Sequence, residues 1–138
     1  MKKILSSKRG ELYIEAVISL MVIAMFMVFA LSASRVSVVK TQADSVADQL
    51  LEVATFYGCF GDEYERHLEK MQTAYSDLNL EVTYDGEWYN VGLKRVQLGD
   101  MMQITVTYEV TFGGFGTFIT LPLTTTRVGV SENYWKTA

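Results

Sequence analysis

With 138 residues and a net charge of −4, the chain has room for one domain and one appended segment. Four of its twelve basic residues, Lys2, Lys3, Lys8 and Arg9, stand in the first ten positions; without them eight cations face sixteen acids, a balance of −8. So acidic a remainder excludes nucleic acid as a partner, and net charge as a means of holding anionic lipid. A single cysteine, Cys59, excludes an internal disulfide. It either bridges two chains or serves as a small half-buried hydrophobe, and the second is the more common use.

In chain order the first element is apolar. From Ala16 to Ser34 nineteen residues pass without a charge, and only Ser19, Ser32 and Ser34 are polar. At ~1.5 Å per residue a helix of this length crosses roughly 30 Å of hydrocarbon. The preceding basic residues are retained inside, so the expected topology is a single pass of the cytoplasmic membrane with the N-terminus inside and the C-terminal domain outside. Membrane lipid is thus one expected partner.

No glycine or proline interrupts residues 11 to 57. Past the span, Val36, Val39, Ala43, Val46, Leu50, Val53 and Tyr57 recur at alternating spacings of three and four, a heptad seam with Arg35, Lys40, Asp44, Asp48 and Glu52 off it. The pattern predicts one helix from Glu11 to Tyr57, stopped by Gly58 and Gly61. A second helix is predicted from Glu63 to Asp77. Asp62 would cap it, Glu65 would complete a capping box, and Tyr64, Leu68, Met71 and Tyr75 would share its inner face. His67, the only histidine, falls off that face and reads as a solvated side chain.

From Leu78 the apolar period becomes two. Leu78, Leu80, Val82 and Tyr84 alternate with polar residues, and Asp85-Gly86 predicts a hairpin turn into EWYNV. In MQITVTYEVTF, Met102, Ile104, Val106, Tyr108, Val110 and Phe112 face one way. GGFG at 113–116 predicts a turn, followed by two shorter strands, TFITLPL and TTRVGV. Pro122 confines its strand to an edge or to one-sided pairing. The expected fold is α+β: a long N-terminal membrane-spanning helix running into a small antiparallel sheet of four or five strands, with one extra short helix. The sheet's apolar face is covered by the seam.

Nothing in the chain points to catalysis. There is no histidine beside a nucleophile and no Cys-His spacing, and the GGFG segment lies between strands rather than before a helix. The acids of DEYE at 62–65 lack the alternating oxygen pattern of a calcium loop and read as a helix start. No metal or cofactor is expected.

The two carboxylates at the start of the apolar run, Glu11 and Glu15, need an explanation. Acids in a first helical turn interact favourably with the helix dipole, which suffices for Glu11. Glu15 lies deeper, after Leu12, Tyr13 and Ile14, and an unpaired carboxylate at mid-membrane costs ~2.5–3.5 kcal/mol on insertion scales. Cleavage between Gly10 and Glu11 would create an α-amine with a pKa of about 8, cationic at neutral pH, and Glu15 would stand one turn from it. In an apolar bundle such a pair fixes axial register, because either ion alone is strongly penalised.

Lys8-Arg9-Gly10, a glutamate five positions later, and an unbroken apolar helix together resemble the class III leader of type IV pilins and pseudopilins. The ten-residue leader and the small sheet domain after one long helix look most like TadE-like minor pilins of tight-adherence systems. The resemblance in leader and span covers residues 8 to 34; the remainder matches in architecture. It implies that a prepilin peptidase cuts after Gly10, that Glu11 becomes the N-terminus, and that Glu15 faces the amine of an adjacent subunit. The partners implied are the peptidase, other pilin or pseudopilin subunits, and an assembly platform protein with its ATPase. Residues 1–10 would be the leader, 11–34 the transmembrane stem, 35–57 its extracytoplasmic continuation, and 58–138 the globular domain. Two departures stand out. Glu11 replaces the phenylalanine or methionine usual in type IV pilins, which leaves N-methylation open, and alanine rather than an aromatic residue follows Glu15. Two other readings are an uncleaved single-pass protein with an outer binding domain, and a secreted domain cut near Ser32–Ser34.

Overall fold

The computed structural model of the chain describes residues 2–114 and 116–136, with side chains from Gly10 onward. Helix α1 runs from Lys2 to Tyr57 without a break. It begins nine residues before the expected Glu11, because its first residues contain no breaker except Gly10, and one interior glycine costs only about 1 kcal/mol. Its end is where the sequence places it. Gly58 takes φ +63° and its N–H donates to the Ala54 carbonyl at 2.8 Å. A Cβ there would lie 2.7 Å from Asn133 Cβ and 2.8 Å from Ser131 Oγ, so the position needs glycine for conformation and for space.

Gly61 is not part of that stop; it is the N-cap of α2, Asp62–Ala74. This corrects the expected capping box: Asp62 is the first helical residue, and no side chain caps the helix. Asp62, Glu63 and Glu65 instead fill the first turn, where the dipole favours them. The helix stops short of Asp77 because the chain tightens into a 3-10 turn, Ser76–Leu78. Asn79 then reverses direction in the left-handed region, as asparagine tolerates. Tyr64 is buried, and Leu68, Met71 and Tyr75 pack half-buried against the core, the inner face expected from their spacing.

The strands are β1 (Glu81–Gly86), β2 (Trp88–Asn90), β3 (Arg95–Val96), β4 (Met101–Gly114) and β5 (Thr117–Val130). They form two sheets rather than one: a three-stranded antiparallel sheet ordered β1-β4-β5 and a β2-β3 ribbon. Asp85-Gly86 is not a hairpin turn. Both residues are in β1, opposite Gln103 and Met102. Gly86 serves close approach: a Cβ would meet the Met101 carbonyl at 3.1 Å and Val96 Cγ2 at 3.2 Å. The two short strands expected after residue 116 are one strand of fourteen residues. Pro122 lies within it opposite Glu109, and β5 is an edge strand, where a missing donor breaks no inner ladder.

The core follows the period-two reading of β4. Met102, Ile104, Val106, Tyr108 and Val110 are buried and meet Ala43, Val46, Ala47, Leu50 and Ala54 of α1. Phe60 stacks on Tyr84 at 4.4 Å, with Tyr64 and Trp88 edge-on around it. The C-terminal segment closes the end of α1. Glu132 N–H donates to the Thr55 carbonyl at 2.9 Å and Asn133 Nδ2 to that of Tyr57 at 2.9 Å, satisfying acceptors a helix terminus leaves open. Trp135 Nε1 donates to the carbonyls of Val96 and Gly58, at 3.1 and 3.2 Å.

Candidate functional site

The functional residues expected from sequence lie on α1, and the helix divides them into two groups. Gly10, Glu11 and Glu15 are exposed. Glu11 and Glu15 are one turn apart on the same helical face, and neither makes an ion pair among the described residues. Lys8 and Arg9 are helical in backbone, but their side chains lie outside the described residues.

Beyond them the helix is apolar on every side and touches little of its own chain. Apart from half-buried Val28, the large side chains from Leu12 to Leu31 are 47–74% exposed, in all azimuths. The most apolar eighteen-residue window of the helix has no buried residue. One stretch of α1 is therefore long and apolar enough to cross a membrane. Water is an unfavourable neighbour for so large an apolar surface, which marks it as a contact surface.

The second group is the seam. Ala43, Val46 and Leu50 are buried, and Val36, Val39 and Val53 are half-buried. Tyr57, at the end, is 38% exposed and pairs edge-on with Phe56 outside the core. The packed stripe is wider than the heptad positions. Ala47 and Ala54, each four residues after a seam position, are fully buried and let the helix lie close to β4. That signal was present in the sequence as alanine on the seam's flank.

Contacts at two heights, which sequence spacing did not reveal, fasten helix to sheet. On the outer half, Thr125 Oγ1 donates to Asp44 Oδ1 at 2.6 Å, and Arg127 Nε donates to Asp48 Oδ1 at 2.7 Å. Arg127 also lies 3.4 Å from Asp44. The hydrogen bond and charge of Asp48 hold the guanidinium further toward its cationic form. Nearer the stem, Ser32 Oγ donates to the Gly113 carbonyl at 2.9 Å, and Phe29 meets Phe112 edge-on at 5.8 Å. The end of the β4–β5 hairpin therefore rests on the last turns of the charge-free stretch.

The remaining candidates of the sequence behave as structural residues. His67 is half-buried rather than solvated, with Nδ1 2.9 Å from the Glu63 carbonyl one turn earlier. Cys59 is a free, half-buried thiol whose backbone bridges to Arg95. Among the described residues no cluster of histidine, cysteine or carboxylates has metal-binding geometry. GGFG divides between elements: Gly113 and Gly114 end β4, Gly114 pairs with Thr117, and Gly116 takes φ +86°.

Residues 18–136 match the profile of a family described as a domain of unknown function, DUF4320. The chain belongs to that family. The match begins inside the apolar run and leaves Gly10, Glu11 and Glu15 outside it. No curated protein and no solved structure matches the chain.

Proposed function

We propose that this member of the DUF4320 family is a structural, non-enzymatic, pilin-like subunit of the minor pilin or pseudopilin kind. It is inserted with its N-terminus inside, cut after Gly10, and assembled through its stem into or beneath a type IV or tight-adherence-like filament. One observation carries the reading. The stem from Leu12 to Met27 is exposed on every side, yet it is the same unbroken helix whose outer half is packed in the domain's core. A helix apolar all round needs either lipid or a ring of like helices, and a filament provides the second after the membrane has provided the first.

Within this reading Glu15 pairs with the amine created at Glu11, in its own chain or in a neighbour, and sets axial register. The prepilin peptidase acts first. The platform protein and its ATPase supply the work of assembly, and this chain contributes shape and contacts. The secreted-domain alternative has less support, since a cut near Ser32–Ser34 would sever Phe29 and Ser32 from the hairpin they touch. An uncleaved single-pass protein remains the second reading, favoured by the continuity of α1 through Gly10 back to Lys2.

The intact mass of the chain recovered from its native membrane separates these readings. A start at Glu11 is expected; a start at Met1 in working protein would overturn cleavage. Gly10→Leu should leave the precursor uncut. Glu15→Leu should insert into the membrane at least as well as the parent yet enter assemblies poorly, and equal incorporation would remove the register role.

A further inference from the structure

We infer that the end of the β4–β5 hairpin is a second membrane-contacting element, seated in the headgroup and upper acyl region beside the stem. The inference rests on the reading that the stem crosses the membrane. Three independent observations meet there.

The first is depth. Ser32 holds Gly113, and Phe29 packs on Phe112, so the hairpin end is level with residues 29–32 of α1. Arg35 is the first charge after the apolar run. At ~1.5 Å per residue, the hairpin end lies roughly 5–10 Å inward of that arginine, the depth of an interfacial element.

The second is composition. Between Glu109 and Arg127 seventeen consecutive residues carry no charge. Elsewhere the domain is rich in acids, so this is the one long stretch of the exported part that lipid would not repel.

The third is exposure. Ile119 and Leu121 are 55% and 50% exposed although they are cross-strand partners of Phe112 and Val110 on the helix-facing side of the sheet, and Phe118, opposite Gly113 on the other face, is 70% exposed. The helix lies over β4 and leaves this half of β5 uncovered. In a surface facing only water such a patch is unfavourable.

The same physics sets the limit of insertion. β5 is an edge strand whose outward N–H and C=O groups are unpaired in the sheet, and hydrocarbon would leave them unsatisfied. Headgroup oxygens and interfacial water satisfy them, and the Thr117 and Thr120 hydroxyls add polar contacts at that level. The hairpin therefore stops at the acyl boundary. Two contacts at different azimuths, stem and hairpin, fix the tilt of the domain over the bilayer.

Site-specific labelling tests this in the full chain. In a Cys59→Ser background, Ile119→Cys, Val22→Cys and Glu69→Cys each receive an environment-sensitive fluorophore, and the proteins are placed at low density in phosphatidylethanolamine–phosphatidylglycerol vesicles. Ile119 and Glu69 are exposed, so a label displaces no packing. Quenching by lipid carrying a nitroxide near the headgroup should be several-fold stronger at position 119 than at 69, and quenching by aqueous iodide several-fold weaker. Iodide quenching at 119 equal to that at 69 would overturn the inference. So would protection at 119 from both quenchers, which would mean that another copy of the chain covers the patch. Failure of quenching at position 22 by lipid carrying its nitroxide deep in the acyl chain would overturn the spanning reading as well, whereas that quenching at 22 without headgroup quenching at 119 removes the hairpin contact alone.

Discussion

The two halves of α1 share one backbone and an apolar character, yet they end in opposite environments. From residue 36 outward most apolar residues, Val38 and Phe56 excepted, keep to one stripe, and Val46, Ala47, Leu50 and Ala54 lose all exposure against β4. From residue 34 inward they surround the helix, and the side chains stay mostly exposed. Hydrophobicity alone does not say whether a helix is a core element; the angular width of its apolar surface does. A stripe can be satisfied by one sheet. A full circumference cannot, and it needs partners on every side.

Charge placement tests that division most strongly. Leu50→Asp puts a carboxylate into the buried cluster that α1 forms with β4, and should cost about 4 kcal/mol or more in denaturant unfolding of the detergent-solubilised chain. Leu20→Asp should leave the same unfolding curve within about 0.5 kcal/mol, because nothing in the domain touches that position, while membrane insertion weakens by ~2.5–3.5 kcal/mol. Equal loss of domain stability from both would mean that the halves are not energetically separate.

A smaller effect sharpens the packed side. The Tyr64 hydroxyl is buried without a hydrogen-bond partner among the described residues, and burial, then neighbouring Tyr84, push its pKa well above the ordinary value. Tyr64→Phe removes an unsatisfied polar atom and should raise stability by about 1 kcal/mol. The sign of the pH effect follows from proton counting. The unfolded tyrosine releases its proton near pH ~10 while the folded one retains it, so this group's contribution is complete below that pH and falls as pH rises above it. The phenylalanine variant should lose that part of the alkaline decline, read as the difference between the two unfolding midpoints from pH 9 to 11. An unchanged difference would mean that water reaches the hydroxyl.

The smallest effect is expected at the polar clamp. Arg127 and Asp48 are both substantially solvated, and screened pairs of this kind contribute about 0–1 kcal/mol. Arg127→Met should therefore shift unfolding by less than about 1 kcal/mol and should reduce its salt dependence. A loss of several kcal/mol would show that the clamp, rather than the alanine-lined stripe, holds helix to sheet.

Much of this architecture was legible because it depends on period. The nineteen-residue run, the seam and the alternation in β4 each repeat long enough to outweigh local accidents, and the helix, its stop at Gly58 and the main strand follow. What failed depended on single residues. Asp85-Gly86 is good turn chemistry, but Gly86 is spent on room for Val96 and the Met101 carbonyl. The division of residues 117–130 into two strands failed as well, although the edge position expected from Pro122 is the one β5 takes. Asp62 suggested a cap, and Gly61 occupies that place. The ties of Asp44 to Thr125 and of Ser32 to Gly113 each join residues 81 positions apart, beyond what spacing can reveal. The reading of Glu15 concerns a partner amine that cleavage would create, so its legibility ends at the chain's own boundary.

Because α1 has no joint between Glu11 and Tyr57 and is fastened to the sheet at two heights, near Ser32 and near Asp44, the domain cannot swivel about its stalk. Whatever surroundings hold the exposed stem of the rod also dictate the compass bearing of the outer body. A torque applied at the base would arrive at the far end undiminished, and every copy held alike would present the same flank outward.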